Sequence, residues 1–311
     1  MAEVLLADIG ATNCRFAVIG ADGRPARMIK LRDNEVPTLE AGIARYLEET
    51  GAQPRAGVLA IAGPIDGDAV KMTNRNWAFR FGDLAKRFGW SGVRGINDFE
   101  AVAWSLPHLA AGDVRALGTL SVKPQGVKAA FGPGTGLGVA ALLPESDGWR
   151  VVATEGGHVS FGPATDEEEA VFARLRAKHG RVSAETVLCG PGIENLFSAM
   201  NDGAERSSAD IIAAANAGEA AAVRCVKLFV RLFGRFAGDL ALTFKALGGI
   251  YVGGGVSRRV AKFLDAPAFR EAFENHPPYA DLLRRIPTTL ITLDEPGLLG
   301  CAAVARAEGF V

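Results

Sequence analysis

Apolar positions in the first third of the chain fall into short runs separated by glycine- and asparagine-rich turns, the pattern of strands joined by tight connections. Residues 4 to 9 and 14 to 19 read as strands around Gly10-Ala11-Thr12-Asn13. A turn at Ala21-Asp22-Gly23-Arg24 leads to a third strand at 26 to 31, completing a β-meander. The period then alternates between helix and strand: helix 38 to 50, strand Gly57 to Ala62, strand Ala69 to Thr73, helix 81 to 88, strand Gly92 to Ile96, helix Phe99 to Leu109. The second half opens in the same way, with a hairpin over 128 to 143 and a strand from Trp149 to Thr154. It then turns helix-rich. Asp166-Glu167-Glu168-Glu169 places negative charge where a helix N-terminus favours it, ahead of a buried face over 170 to 177. Val223, Val226, Val230, Phe233, Ala237, Leu240 and Phe244 recur at spacings of three and four, predicting a core-facing helix over 219 to 246. Strand Gly249 to Val252 meets a further glycine turn. The final strand, Thr289 to Leu293, leads through Pro296-Gly297 into helix 298 to 308, and both are expected to pack back onto the first lobe.

Composition narrows the function classes. The 311 residues exceed what one core usually organises, so two lobes are expected. A net charge of −1, from 34 Lys+Arg and 35 Asp+Glu, offers no long-range field for nucleic acid or an anionic membrane and favours a small-molecule partner. Charged residues interrupt every apolar stretch before membrane-spanning length, and Met1-Ala2-Glu3 lacks the basic start of a signal peptide, so a cytoplasmic location is expected. Cys14, Cys189, Cys225 and Cys301 are scattered, without zinc-ligand spacing, and read as core residues.

Candidate chemistry gathers at the turns. Gly10 to Asn13 and Gly132-Pro133-Gly134-Thr135-Gly136 each lie between apolar strands, where glycines at positive φ would let successive N–H groups converge on an anion. Two such nests suggest one polyphosphate held from two halves. Asp8 ends the first strand, where it could hold a water of Mg²⁺ or simply bond its own turn. Gly253-Gly254-Gly255 could approach a ligand or serve strand-to-helix packing. Asp98, between a strand and a helix, reads first as an N-cap and also as a strand-end catalytic group, and the two roles can coexist. Glu155 and His158 flank a double glycine and suit a polyol better than a metal. Glu185 falls at a helix start, and Thr73-Asn74-Arg75-Asn76-Trp77 is a turn with amide and aromatic groups.

Taken in order, Leu6-Ala7-Asp8-Ile9-Gly10-Ala11-Thr12-Asn13, Ala60-Ile61-Ala62-Gly63-Pro64, Met72-Thr73-Asn74, Ile96-Asn97-Asp98-Phe99, Gly132-Pro133-Gly134-Thr135-Gly136, Thr154-Glu155-Gly156-Gly157-His158 and Tyr251-Val252-Gly253-Gly254-Gly255 closely resemble the bacterial ATP-dependent glucokinase family across nearly the whole chain. The resemblance implies an α/β, two-lobed, actin-like (ribonuclease H-like) ATPase fold, with mixed sheets flanked by helices and a cleft between the lobes. The small lobe would span 1–109 and be completed by 291–311; the large lobe would span 110–290. The implied reaction is phosphoryl transfer from ATP to the 6-hydroxyl of D-glucose, the first step of glycolysis, with Mg²⁺ as cofactor, in a homodimer. Asp98 would be the catalytic base. Asn97, Glu155, His158 and Glu185 would hold the sugar. Asp8, Ile9, Gly10, Ala11, Thr12 and Asn13 would line the first phosphate turn, with Asp8 reaching Mg²⁺ through water. Gly134, Thr135 and Gly136 would line the second turn, and Gly253, Gly254 and Gly255 the adenosine side. Ala11 departs from the family, which often shows a second glycine there. The alternatives are another hexose or amino-sugar kinase of this fold, or a sugar-responsive regulator without turnover; retention of Asp98 argues against the latter.

Overall fold

Backbone pairing organises the chain around two main sheets. The computed structural model describes residues 3–10, 13–32, 35–63, 65–72, 77–120, 125–265 and 267–311. They form two compact units, one running up to Ala110 and including Leu293–Val311, the other Ala111–Thr292.

In the first unit, β1 (Glu3–Ile9), β2 (Asn13–Ile19) and β3 (Pro25–Arg32) form the antiparallel meander. After α1 (Leu39–Thr50), β4 (Pro54–Ile61) joins β1 in parallel. A small antiparallel sheet follows, made of β5 (Ile65–Asp66), β6 (Ala69–Lys71) and β7 (Ala78–Arg80). Next come α2 (Phe81–Phe88), β8 (Val93–Asn97) and α3 (Asp98–Ser105), with β8 parallel to β4. The main sheet therefore runs β3-β2-β1-β4-β8. Because β1 and β4 are covered on both faces, their patterns are nearly continuous apolar runs, as central strands require. One face packs with Phe16, Ile43 and Tyr46; the other receives Leu298, Cys301, Ala302 and Val304 from the C-terminal helix Pro296–Ala307.

In the second unit, β9 (Val114–Ala116) precedes β10 (Lys128–Pro133), β11 (Leu137–Glu145) and β12 (Gly148–Thr154). Helices α4 (Asp166–His179), α5 (Ala184–Val187), α6 (Gly190–Met200), α7 (Ser208–Asn216) and α8 (Ala220–Thr243) follow. Then come β13 (Gly249–Val252), the short helices α9 (Gly255–Arg259), α10 (Ala261–Leu264), α11 (Pro267–Glu274) and α12 (Ala280–Leu283), and β14 (Thr288–Ile291). The sheet order is β12-β11-β10-β13-β14-β9. The periodic stripe of α8 fills the core: Phe233 meets Phe131 of β10 at 4.5 Å and Phe229 at 5.5 Å between ring centroids. Such burial is worth about 25 cal/mol per Å² of apolar surface, so these rings add to the unit's cohesion.

The final strand departs from expectation. Rather than joining the first lobe, β14 lies parallel to β13 and antiparallel to β9 in the second sheet; only the helix after it returns to the first unit. The neighbour that seemed to be missing is β9, whose three residues are too few to show a period. All four cysteines are free and buried, as core residues should be. No helix among the described residues is long and apolar enough to cross a membrane.

Candidate active site

In the first unit the end of β1 and the start of β2 meet in a polar cluster. Arg15 places Nη1 3.6 Å from Asp8 Oδ2 and Nε 2.6 Å from Glu295 Oε1, just before the C-terminal helix. Burial pushes the Asp8 carboxyl up to about 7, against the attraction of Arg15 and aided by the charges of Glu295 and Asp98. The turn is closed by the Gly10 N–H donating to the Asn13 carbonyl at 3.1 Å. Ala11 and Thr12 lie outside the described residues, as do Pro64 and Thr73 to Asn76.

At the end of β8 the cap is Asn97, not Asp98. Asn97 Oδ1 accepts from the Phe99 and Glu100 N–H groups, and Glu100 reaches back to the Asn97 N–H at 3.3 Å, forming a capping box. Asp98 is the first helical residue, its Oδ1 accepting from the Phe99 N–H at 2.8 Å. Capping is thus carried by its neighbours, and Asp98 is not needed for it. Asn97 has its oxygen committed to the helix, which leaves the amide Nδ2 as the group it could offer a sugar.

In the second unit the hairpin between β10 and β11 turns through Gly134-Thr135-Gly136, with the Gly134 N–H donating to the Gly136 carbonyl at 2.8 Å. Positive φ is not what these glycines supply: among Gly10, Gly132, Gly134, Gly136, Gly253, Gly254 and Gly255, only Gly254 has it, at +82°. Close approach is the reason instead. A Cβ on Gly132 would lie 2.5 Å from the Gly253 carbonyl, so β10 and the 253–255 turn touch backbone to backbone. A Cβ on Gly136 would lie 2.5 Å from Glu185 Oε2. That carboxylate accepts the Leu137 N–H at 2.7 Å, so Glu185 is seated directly on the hairpin.

His158 ends a single 3-10 turn, Gly156–His158, stabilised by its N–H donating to the Glu155 carbonyl at 3.0 Å. The following segment runs alongside residues 182–184: the Phe161 N–H donates to the Val182 carbonyl at 3.1 Å, and the Ala184 N–H to the Val159 carbonyl at 3.0 Å. This pairing brings the two candidate sugar segments together. His158 Nδ1 lies 3.8 Å from Glu185 Oε1, and Nε2 lies 3.9 Å from Glu155 Oε2. These distances exceed a direct hydrogen bond, and all three side chains reach solvent, with Glu155 82% exposed. Two carboxylates and an imidazole can accept from, or donate to, adjacent hydroxyls. Among the described residues no group of three or more His, Cys, Asp or Glu side chains could hold a metal ion.

Sequence reasoning passed over Arg15 and Glu295, whose ion pair links β2, beside Asp8, to the start of the C-terminal helix. Arg15 alternates with the apolar residues of β2 and looks like any solvent-facing position. It also passed over Arg181 and Arg235, whose contacts depend on tertiary placement.

The fold and this set of groups define a class: α/β sugar kinases built on the actin-like ATPase architecture. A solved glucokinase from an Antarctic psychrotroph superposes with a TM-score of 0.90 at 32% identity, covering 99% of each chain. A ROK-family glucokinase from Streptomyces griseus in complex with glucose and AMPPNP shares the fold at a TM-score of 0.66 and 21% identity, covering 98% of this chain and all of that one. The glucokinase of Rhizobium meliloti is 40% identical over 311 aligned residues, which cover 97% of this chain and 92% of that protein. A family model described as Glucokinase matches residues 5–308, and the chain belongs to the glucokinase family.

Proposed function

We propose that the protein transfers the γ-phosphoryl group of ATP to the 6-hydroxyl of D-glucose, releasing ADP and glucose 6-phosphate. Family membership supports the activity, and the Glu155, His158 and Glu185 group beside the Gly134–Gly136 hairpin is the observation that carries the reading onto residues. Sugar hydroxyls would bond to Glu155, His158, Glu185 and the Asn97 amide. Asp98 accepts the 6-hydroxyl proton as the oxygen bonds to the γ-phosphorus and the bond to the bridging oxygen of ADP breaks. Because this transition state is loose, the protein's work is in-line placement and charge neutralisation. The turns at Asp8 to Asn13 and at Gly134 to Gly136 would cradle the phosphates, and Gly253 to Gly255 would flank the adenosine.

Asp8 fits a site that uses Mg²⁺. Asp8 is a largely buried carboxyl with Glu295 and Asp98 as well as Arg15 around it, and Mg²⁺ is commonly held by one or two carboxylates plus waters and phosphates. Asp8 would hold the ion through a water, and the ion would neutralise phosphate charge. A cytoplasmic homodimer completes the reading, and light scattering after gel filtration tests the dimer.

The deciding assay couples glucose 6-phosphate formation to a dehydrogenase, across a panel of sugars and phosphoryl donors. Glucose with ATP and Mg²⁺ should give the highest kcat/KM. Equal kcat/KM with mannose or N-acetylglucosamine would replace glucose by a broader substrate class, and no ADP release with any sugar would reject the kinase reading.

A further inference from the structure

The backbone that carries His158 continues to Ala164 before α4 begins, and alternate residues along it are bonded by side chains from elsewhere in the unit. Arg181 donates from Nη2 to the His158 carbonyl at 2.9 Å and from Nε to Ser160 Oγ at 3.0 Å. Arg235, on α8, donates from Nη2 to the Gly162 carbonyl at 2.6 Å, and its guanidinium lies 4.7 Å from the Phe161 ring centroid. Its Nη1 pairs with Glu168 Oε2 at 2.7 Å, and the same oxygen accepts the Ala164 N–H at 2.8 Å. The Glu168 side chain is 1% exposed and that of Arg235 18%, so this ion pair is largely withdrawn from solvent.

A guanidinium offers several donors in a rigid fork, so one side chain can fix two acceptors at a set spacing. A loop held in this way has already lost the freedom that a ligand would otherwise have to remove. We propose that Arg181 and Arg235 are positioning residues for the sugar site: they brace residues 158–164 so that His158 stands beside Glu155 and Glu185 before a hexose arrives. The proposal rests on the glucose reading and adds two residues that act through the loop they hold.

Arg231 supplies the control, because it pairs with Glu168 Oε1 at 3.2 Å and with Glu167 Oε2 at 2.8 Å and bonds no residue of the loop. Arg181→Met should raise the glucose KM about tenfold while kcat and the ATP KM stay within about twofold, the pattern of lost ground-state positioning. Arg181→Lys, with its donors on one nitrogen, should fall between. Arg235→Met should raise the glucose KM and lower Tm, whereas Arg231→Met should lower Tm alone. Amide exchange over residues 156–163 should accelerate in Arg181→Met and not in Arg231→Met. An unchanged glucose KM in Arg181→Met, or an equal rise in Arg231→Met, overturns the brace and leaves the kinase reading standing. A wild-type enzyme that phosphorylates no sugar overturns the reading of function, and the positioning role with it.

Discussion

Asp98 occupies the first helical position of α3 while Asn97 and Glu100 perform the capping, so its removal should leave the helix intact. Asp98→Ala is therefore expected to lower kcat by about 100-fold or more while glucose binding, measured by calorimetry, changes little. Gly136 makes a different prediction from the one its proposed place in a phosphate turn suggests. A methyl group there would meet Glu185 Oε2, the movable end of a side chain, so Gly136→Ala should displace that carboxylate and raise the glucose KM more than the ATP KM. A rise confined to ATP would assign the glycine to phosphate alone. Asp8 supplies a pH test. Burial raises its pKa in the folded protein from the ordinary 3.8 to about 7, so over this window the folded state holds a proton that the unfolded chain has released. The Asp8 contribution to stability thus falls as pH rises from about 4 to about 7 and is level above. Without nucleotide and metal, Asp8→Asn should therefore match wild type in Tm near pH 4, and exceed it by several degrees at pH 8. Equal Tm at both pH values would contradict the burial that raises this group.

At the scale of elements, the strands and helices that span several periods were legible in the sequence. The meander of β1 to β3, the hairpin of β10 and β11, and the α8 stripe, in which Val226, Val230, Phe233 and Ala237 are fully or almost fully buried, all carry their pattern in their own residues. Elements of two or three residues did not, and missing β9 misplaced β14. Glu155 and His158 stood out as polar groups flanking a double glycine and Glu185 only as a residue at a helix start, and family resemblance gave all three their expected roles. What brings them together, the pairing of 159–161 with 182–184, is a contact between distant segments with no local signature. The glycines were read as sources of positive φ, yet at Gly132 and Gly136 what matters is the absence of a Cβ under a neighbouring group. Gly132→Ala presses on backbone on the facing side and should be far less soluble than Gly136→Ala, as a purification yield would show.

At the scale of the whole molecule, the chain leaves its first unit after Ala110 and re-enters it at Leu293. The returning helix covers one face of the first sheet with Leu298, Cys301, Ala302, Val304 and Ala305, all at most 3% exposed. A chain truncated before Pro296 would uncover that face, and should bind a hydrophobic dye and aggregate while β10 to β14 retain their pairing. Asp98 and the Gly10 turn thus belong to the first unit, while the Gly134–Gly136 hairpin, Glu155, His158 and Glu185 belong to the second. The most direct measurement of the account is phosphorus NMR of ATP, Mg²⁺ and glucose with wild-type protein and with Asp98→Asn. The account predicts that wild type converts the γ-phosphorus of ATP into a sugar monoester in equal amount to ADP, and that the variant binds glucose yet forms the ester at least about 100-fold more slowly. Absence of the ester with wild type, or undiminished turnover by Asp98→Asn, would contradict it.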